Sequence, residues 1–202
     1  MMSAASGEQP YGMSQIAAAN SVMRRLPGVL VEIIGGQMPA TPSPDIAHTR
    51  ALKKVTRAFE AAGLDEDGTE VHRSIRVWLR DEPEDYAIPD VCIVGADVDD
   101  HLVENDCYAP VVFRLVLEVT SSNWPADLRT KVTAYAQAKI PVYVIVDREH
   151  QRLHGLTDPA GDEYTNHRVH APGELVTLPD TLGAEVTLDV AEILNAGQPK
   201  AD

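Results

Sequence analysis

A chain of 202 residues, 44% of them hydrophobic, is long enough to bury one sizeable core, and its composition excludes collagen, a coiled coil and bulk disorder. No stretch approaches the ~18 consecutive apolar residues of a membrane span, and the opening Met1-Met2-Ser3-Ala4-Ala5-Ser6-Gly7-Glu8 has neither the basic nor the apolar region of a signal peptide, so a cytoplasmic protein is expected. Seventeen Lys and Arg against 31 Asp and Glu give a net charge of −14, which opposes indiscriminate attraction to nucleic-acid phosphates.

The acidity is regional: residues 65–106 carry 14 acidic and 3 basic side chains, and the remainder is close to balance. The two cysteines, Cys92 and Cys107, form neither a disulfide framework nor a zinc knuckle and suit a reducing compartment as small buried residues.

In chain order, residues 1–13 are small and polar and are expected to be a loose tail, as are 196–202, with one domain over 14–195. A short helix is predicted over 14–26. Val29–Ile34 is β-branched, meets Gly35-Gly36 and resumes at Gln37-Met38, the pattern of a hairpin. Thr41-Pro42-Ser43-Pro44-Asp45 cannot be helical and leads into a helix start.

The helix predicted over 46–62 is amphipathic. Leu52, Val55, Phe59 and Ala62 share one side, Arg50, Lys53, Lys54 and Arg57 recur on the other, and Gly63 ends it. The cationic stripe is either an ordinary solvated face or, if it borders a cleft, a contact for a DNA backbone.

Alternation over 69–80 predicts one strand, Asp81–Asp85 a solvated turn, Ile88–Val94 a strand entered through Pro89, and 95–109 an acidic connection. Val111–Thr120 is apolar at nearly every position, as a strand covered on both faces requires. Ser121–Pro125 reads as a loop and cap, 126–138 as a helix, and Pro141–Asp147 as a second buried strand, so the three form a βαβ unit with parallel strands. Shorter strands are predicted near 151–157, 163–170 and 184–189. The whole is an α/β fold with a mixed sheet and flanking helices.

Glu118 interrupts the apolar run of a buried strand. A carboxylate there neutralises, pairs with a cation or binds a metal, and Arg114 on the same strand face is one available partner. Asp90 follows Pro89 near the mouth of a neighbouring strand. It is either a turn residue or a second carboxylate, and two acids at adjacent strand ends suit Mg²⁺, which takes oxygen ligands and keeps several waters. Asp127, Lys131 and Tyr135 lie one helical turn apart, so Lys131 either pairs with Asp127 on the surface or points at Glu118, where it could orient an attacking water and stabilise transition-state charge. The pairs His150/His154 and His167/His170 read as surface histidines.

The ordered set Pro89-Asp90, Glu118-Val119-Thr120-Ser121, Asp127, Lys131, Tyr135 and Tyr143–Asp147 resembles the Uma-two family of restriction-endonuclease-like proteins in the PD-(D/E)XK nuclease superfamily. Glu32, Gly35-Gly36, Met38, Pro42-Ser43-Pro44 and His48 resemble the same family's amino-terminal signature, and the resemblance spans about residues 22–190.

The resemblance implies a restriction-endonuclease-like core with Asp90 and Glu118 as ligands of Mg²⁺ or Mn²⁺ in a metal-dependent DNA endonuclease. The superfamily pattern places lysine two residues after the second acid. Here Thr120 stands at that place, so Lys131 from the helix is the candidate catalytic lysine. Glu32 and His48 are carried over as further site residues, His48 also being open to a capping or core role. DNA is the implied partner, and a homodimer could gather the basic stripes in one groove. The alternative is a catalytically silent nuclease-like module that binds a protein or DNA partner, with the acidic 65–106 segment as its contact surface.

Overall fold

The computed structural model describes residues 14–66, 68–79, 84–120 and 124–198, with the backbone alone for 124–128. The expected loose tail over 1–13 lies outside the described residues, as do 199–202, the loop positions 121–123 and residues 81–83 of the acidic turn.

Helix α1 (Gln15–Arg25) is capped by Ser14, whose hydroxyl accepts the Ala17 N–H. Glu84 accepts another first-turn amide, that of Ile16. The hairpin follows with β1 (Leu30–Val31) and β2 (Ala40–Thr41), and its tip is closed by hydrogen bonds in both directions between Ile34 and Gln37. Gly35 and Gly36 both have positive φ there, the conformation a two-residue hairpin turn needs and only glycine adopts without strain.

Asp85 departs from expectation. Placed by the sequence in a solvated turn, it is buried and accepts the N–H groups of both Gly35 and Gly36. The carboxylate thereby gathers the two adjacent amides at the hairpin tip onto one buried acceptor.

Helix α2 (Ile46–Ala61) starts at Asp45, which accepts the His48 N–H, and runs out one residue before expectation into Ala62 and the left-handed Gly63. The single strand predicted over 69–80 is two strands, β3 (Thr69–His72) and β4 (Arg76–Trp78), which belong to different sheets. Ser74 has φ of 57° and donates its N–H to the Pro89 carbonyl, so the chain turns out of the first sheet at the point where alternation alone sees continuity.

Strands β5 (Tyr86–Ala87) and β6 (Val91–Gly95) follow, and the 95–109 segment, expected as a plain connection, contains β7 (Leu102–Glu104) and β8 (Cys107–Tyr108). These two short strands extend a small sheet of order β5-β4-β8-β7. Two- and three-residue strands are too short for period-two alternation to register.

The central unit is β9 (Phe113–Val119), α3 (Trp124–Gln137) and β10 (Val142–Asp147), and β9 and β10 pair in parallel as the βαβ reading requires. A long hairpin of β11 (Arg152–Ala160) and β12 (Glu163–His170) completes a six-stranded mixed sheet of order β12-β11-β10-β9-β6-β3. Strands β13 (Leu175–Thr177) and β14 (Thr187–Asp189) lead into helix α4 (Val190–Ala196). Helix α4 is absent from the sequence reading, because seven residues directly after a strand offer no periodicity to detect. Ala196, assigned above to a tail, closes that helix.

Side-chain alternation divides the core in two. Leu115, Leu117, Val144 and Val146 pack with Phe59 of α2 and Ile193 of α4 on one face of the sheet. Val116, Tyr143 and Ile145 pack with Ala134 and Tyr135 of α3 on the other. Glu118 follows the alternation of Val116 and therefore points toward α3, which sets up the site. No helix among the described residues is long and apolar enough to cross a membrane.

Candidate active site

Antiparallel pairing of β6 and β9 sets the start of one strand beside the end of the other. Val91 is in register with Leu117, so Asp90, one residue before β6, lies alongside Glu118. The Asp90 carboxylate turns onto β9, with Oδ2 accepting the Val119 N–H at 2.8 Å. Its other oxygen lies 3.2 Å from Nε2 of His48, within ion-pair distance but not aligned as a hydrogen bond, so this buried ring nitrogen has no hydrogen-bond partner.

Glu118 is held from α3. Its Oε1 accepts from Lys131 Nζ at 2.7 Å and from the Tyr135 hydroxyl at 2.9 Å, and no donor among the described residues reaches Oε2. Lys131 also lies 2.9 Å from Oε1 of Glu32, a buried residue of the amino-terminal hairpin segment whose Oε1 accepts the Ile88 N–H at 2.7 Å. Two carboxylates thus meet one ammonium group, and the Asp90 carboxylate lies on the neighbouring strand beside Glu118.

The electrostatics follow from that count. Burial, offset in part by Lys131 and reinforced by Asp90 and Glu32, pushes the Glu118 carboxyl up to about 8. Burial alone would depress the Lys131 ammonium, but Glu118 and Glu32 together raise it, and it stays charged. Burial and then the Glu118 charge hold the phenols of Tyr135 and Tyr143 protonated, so both are hydrogen-bond donors. The Tyr143 hydroxyl is buried at the wall of the same cleft and has no partner among the described residues.

The cleft above this cluster has a volume of about 650 Å³. Its lining includes the β1–β2 hairpin and the Pro42-Ser43-Pro44 loop. Asp45 and Arg148, joined by two 3.1 Å hydrogen bonds, stand at its edge. The Arg148 guanidinium, and next the His48 N–H, hold the Asp45 carboxyl below the usual carboxylate range.

The structure therefore brings together Asp90, Glu118, Lys131, Glu32 and His48 from five separate stretches of chain. Arg114 does not pair with Glu118; its guanidinium donates to the carbonyls of Leu182 and Gly68 instead. Lys131 turns inward to two carboxylates rather than along the surface, and the Asp127 side chain lies outside the description.

The basic stripe is not part of the site. His48 and Leu52 give α2 its cleft-facing side, and at 100° per residue Arg50, Lys53, Lys54 and Arg57 fall on the opposite side, where Lys54 pairs with Glu192. Thr120 lines the cleft, with its hydroxyl on the Val146 carbonyl.

His154 and His167 stack with ring centroids 5.2 Å apart, and His150 meets the buried Asp147, so these histidines form a local cluster rather than isolated surface groups. Sequence reasoning missed Tyr143, Arg73 and Arg148 as cleft residues. Tyr135 carried a signal, one turn beyond Lys131, whereas Tyr143 looks like any other residue of an apolar strand.

Fold and site together define a restriction-endonuclease-like α/β protein with a carboxylate–lysine cleft. Residues 21–191 match the model of the Uma2 family, described as "putative restriction endonuclease", and the chain belongs to that family. Among solved structures, a crystal structure described as a putative nuclease belonging to DUF820 from Anabaena variabilis shares the fold, with a TM-score of 0.63 at 16% identity over 87% of this chain and 97% of that one. No curated protein matches the chain.

Proposed function

We propose that this protein is a metal-dependent endonuclease that hydrolyses DNA phosphodiester bonds, with Asp90 and Glu118 as the ligands of Mg²⁺ or Mn²⁺ and Lys131 as the catalytic lysine. The observation that carries the reading is the convergence of Glu118 and Glu32 on Lys131, with Asp90 alongside Glu118, in a cleft of a chain whose family is described as "putative restriction endonuclease".

The donor set fits a hard divalent cation. Carboxylates outnumber cations in the cluster, one oxygen of Glu118 has no donor among the described residues, and burial first, then the Asp90 and Glu32 charges, raise its carboxyl despite Lys131. No group of three or more His, Cys, Asp or Glu among the described residues is spaced to cage a metal unaided. A Mg²⁺ ion held by Asp90 and Glu118 would need water and substrate phosphate to complete its shell, as Mg²⁺ sites with one or two carboxylates usually do.

A divalent cation bound there supplies charge neutralisation at the scissile phosphate. Hydrolysis joins a water oxygen to phosphorus, breaks the bond to one ester oxygen and returns a proton to that leaving oxygen. The chain's part is positioning and charge. Lys131, kept protonated by Glu118 and Glu32, presents a fixed positive charge to the phosphoryl group as negative charge accumulates, and can orient the attacking water. The Val119 N–H holds Oδ2 of Asp90 and Tyr135 holds Oε1 of Glu118, so one oxygen of each carboxylate is oriented before substrate arrives.

Calorimetric titration with Mg²⁺ and Mn²⁺, beside an assay of plasmid and oligonucleotide cleavage, tests this. Binding and cleavage are expected for the wild type, and both are expected to vanish in Asp90→Asn/Glu118→Gln. Cleavage that survives in the double variant would overturn the assignment.

A further inference from the structure

We infer that the cleft takes a nucleotide whose base is out of the helical stack, supplied by single-stranded DNA or by a base extruded from a duplex. The inference rests on the nuclease reading above and adds the class of substrate.

Two features of the cleft carry it. The first is the apolar part of the cleft lining. Leu30 and Met38, on the two arms of the hairpin, line the cleft with 37% and 43% of their surface exposed, and Pro39 and Pro42 continue the apolar wall. A lone exposed leucine is unremarkable, but large apolar side chains gathered inside one concavity present a surface for an apolar ligand. A phosphate and sugar do not need such a wall, whereas the flat face of an unstacked base does. The wall is held in place: Asp85 clamps the hairpin tip, Ser43 donates its hydroxyl to the Gly28 carbonyl, and the Asp45–Arg148 pair pins the loop end.

The second feature is the supply of cations. Duplex binding through the backbone requires several cations free to meet phosphates on both strands. In the cleft, Lys131 is committed to two carboxylates and Arg148 to Asp45. Arg73, exposed at the cleft wall, is the remaining cation there and has no carboxylate partner among the described residues. The basic stripe of α2 is on the far side of its helix. One unpaired cation among the described cleft residues, a chain carrying −14 and an apolar wall favour insertion of one nucleotide over a grip on a duplex backbone.

The test uses the full chain carrying Glu118→Gln, which prevents cleavage, and fluorescence anisotropy at one fixed salt concentration. Three labelled probes are compared: a 15-residue oligothymidylate, a matched 15-base-pair duplex, and the same duplex with one mispaired position. The single strand is expected to bind about tenfold more tightly than the matched duplex. If the mispaired duplex gains with it, extrusion supplies the nucleotide. If it does not, single-stranded DNA does.

Adding Met38→Ala is expected to weaken the preferred probe about fivefold. Leu30→Ala reports through a second side chain, and both positions are exposed enough for truncation to leave the fold intact. Equal or tighter binding of the matched duplex, or no response to either wall variant, would overturn the inference while leaving the nuclease reading standing. Failure to bind any of the three probes would overturn both.

Discussion

Nζ of Lys131 lies 2.7 Å from Oε1 of Glu118, joining the crossover helix α3 to the strand it follows, and the same ammonium reaches Glu32 at 2.9 Å. Removing the lysine leaves two largely buried carboxylates without their shared cation. Lys131→Met is therefore expected to destabilise the protein by about 3 kcal/mol in metal-free buffer, and adding Glu118→Gln to it should recover part of that loss. Denaturant unfolding of the two single variants and the double variant measures the coupling.

Glu118 makes stability depend on pH with a definite sign. Its carboxyl is raised from 4.5 to about 8 in the folded protein, so across that interval the native state retains a proton that the unfolded chain has released. The stabilisation from this group is complete below pH 4.5 and is lost as pH rises through about 8. With chelator present, the melting temperature of the wild type should fall relative to Glu118→Gln between pH 5 and pH 8.5. Addition of Mg²⁺ at pH 8.5 should restore the wild type and not the variant.

Asp85 and the Gly35-Gly36 turn form a second testable unit. Asp85→Ala leaves two turn amides without their acceptor and is expected to cost about 2 kcal/mol, visible as a lowered denaturation midpoint. Gly35→Ala forces a side chain into a left-handed conformation at φ of 58°, at about 1 kcal/mol. Both should also loosen the apolar wall of the cleft and reduce oligonucleotide affinity.

The basic stripe of α2 supplies a contrast. Lys53→Glu/Arg57→Glu reverses two exposed charges on the side of the helix away from the cleft, and cleavage is expected to stay within about twofold of wild type. Arg73→Ala alters the cleft itself and should flatten the dependence of log K on log salt by about one unit. Anisotropy titrations across salt concentration distinguish the two sites.

Much of the fold was legible because its signals are local. Alternation and apolar runs marked β9 and β10, a proline-rich approach and an amphipathic period marked α2, and strand–helix–strand order required the parallel pair that the structure contains. What escaped was short or turned: the break at Ser74, the two-residue strands of the small sheet, and the seven-residue α4. None of these spans enough residues for a period to show.

The site divides in the same way. The sequence by itself exposed Glu118, because a charge in an apolar strand needs a partner, and it placed Lys131 and Tyr135 one turn apart on one helix face. It could not choose between Arg114 and Lys131 as the partner of Glu118. That choice belongs to tertiary structure: strand alternation turns Glu118 toward α3, while Arg114 is drawn to the carbonyls of Leu182 and Gly68. The basic stripe looked like a candidate DNA contact until the packing of α2 set His48 and Leu52 toward the cleft and the cations away from it. Periodicity states which residues share a face. Only the packing of elements distant in sequence decides what that face meets.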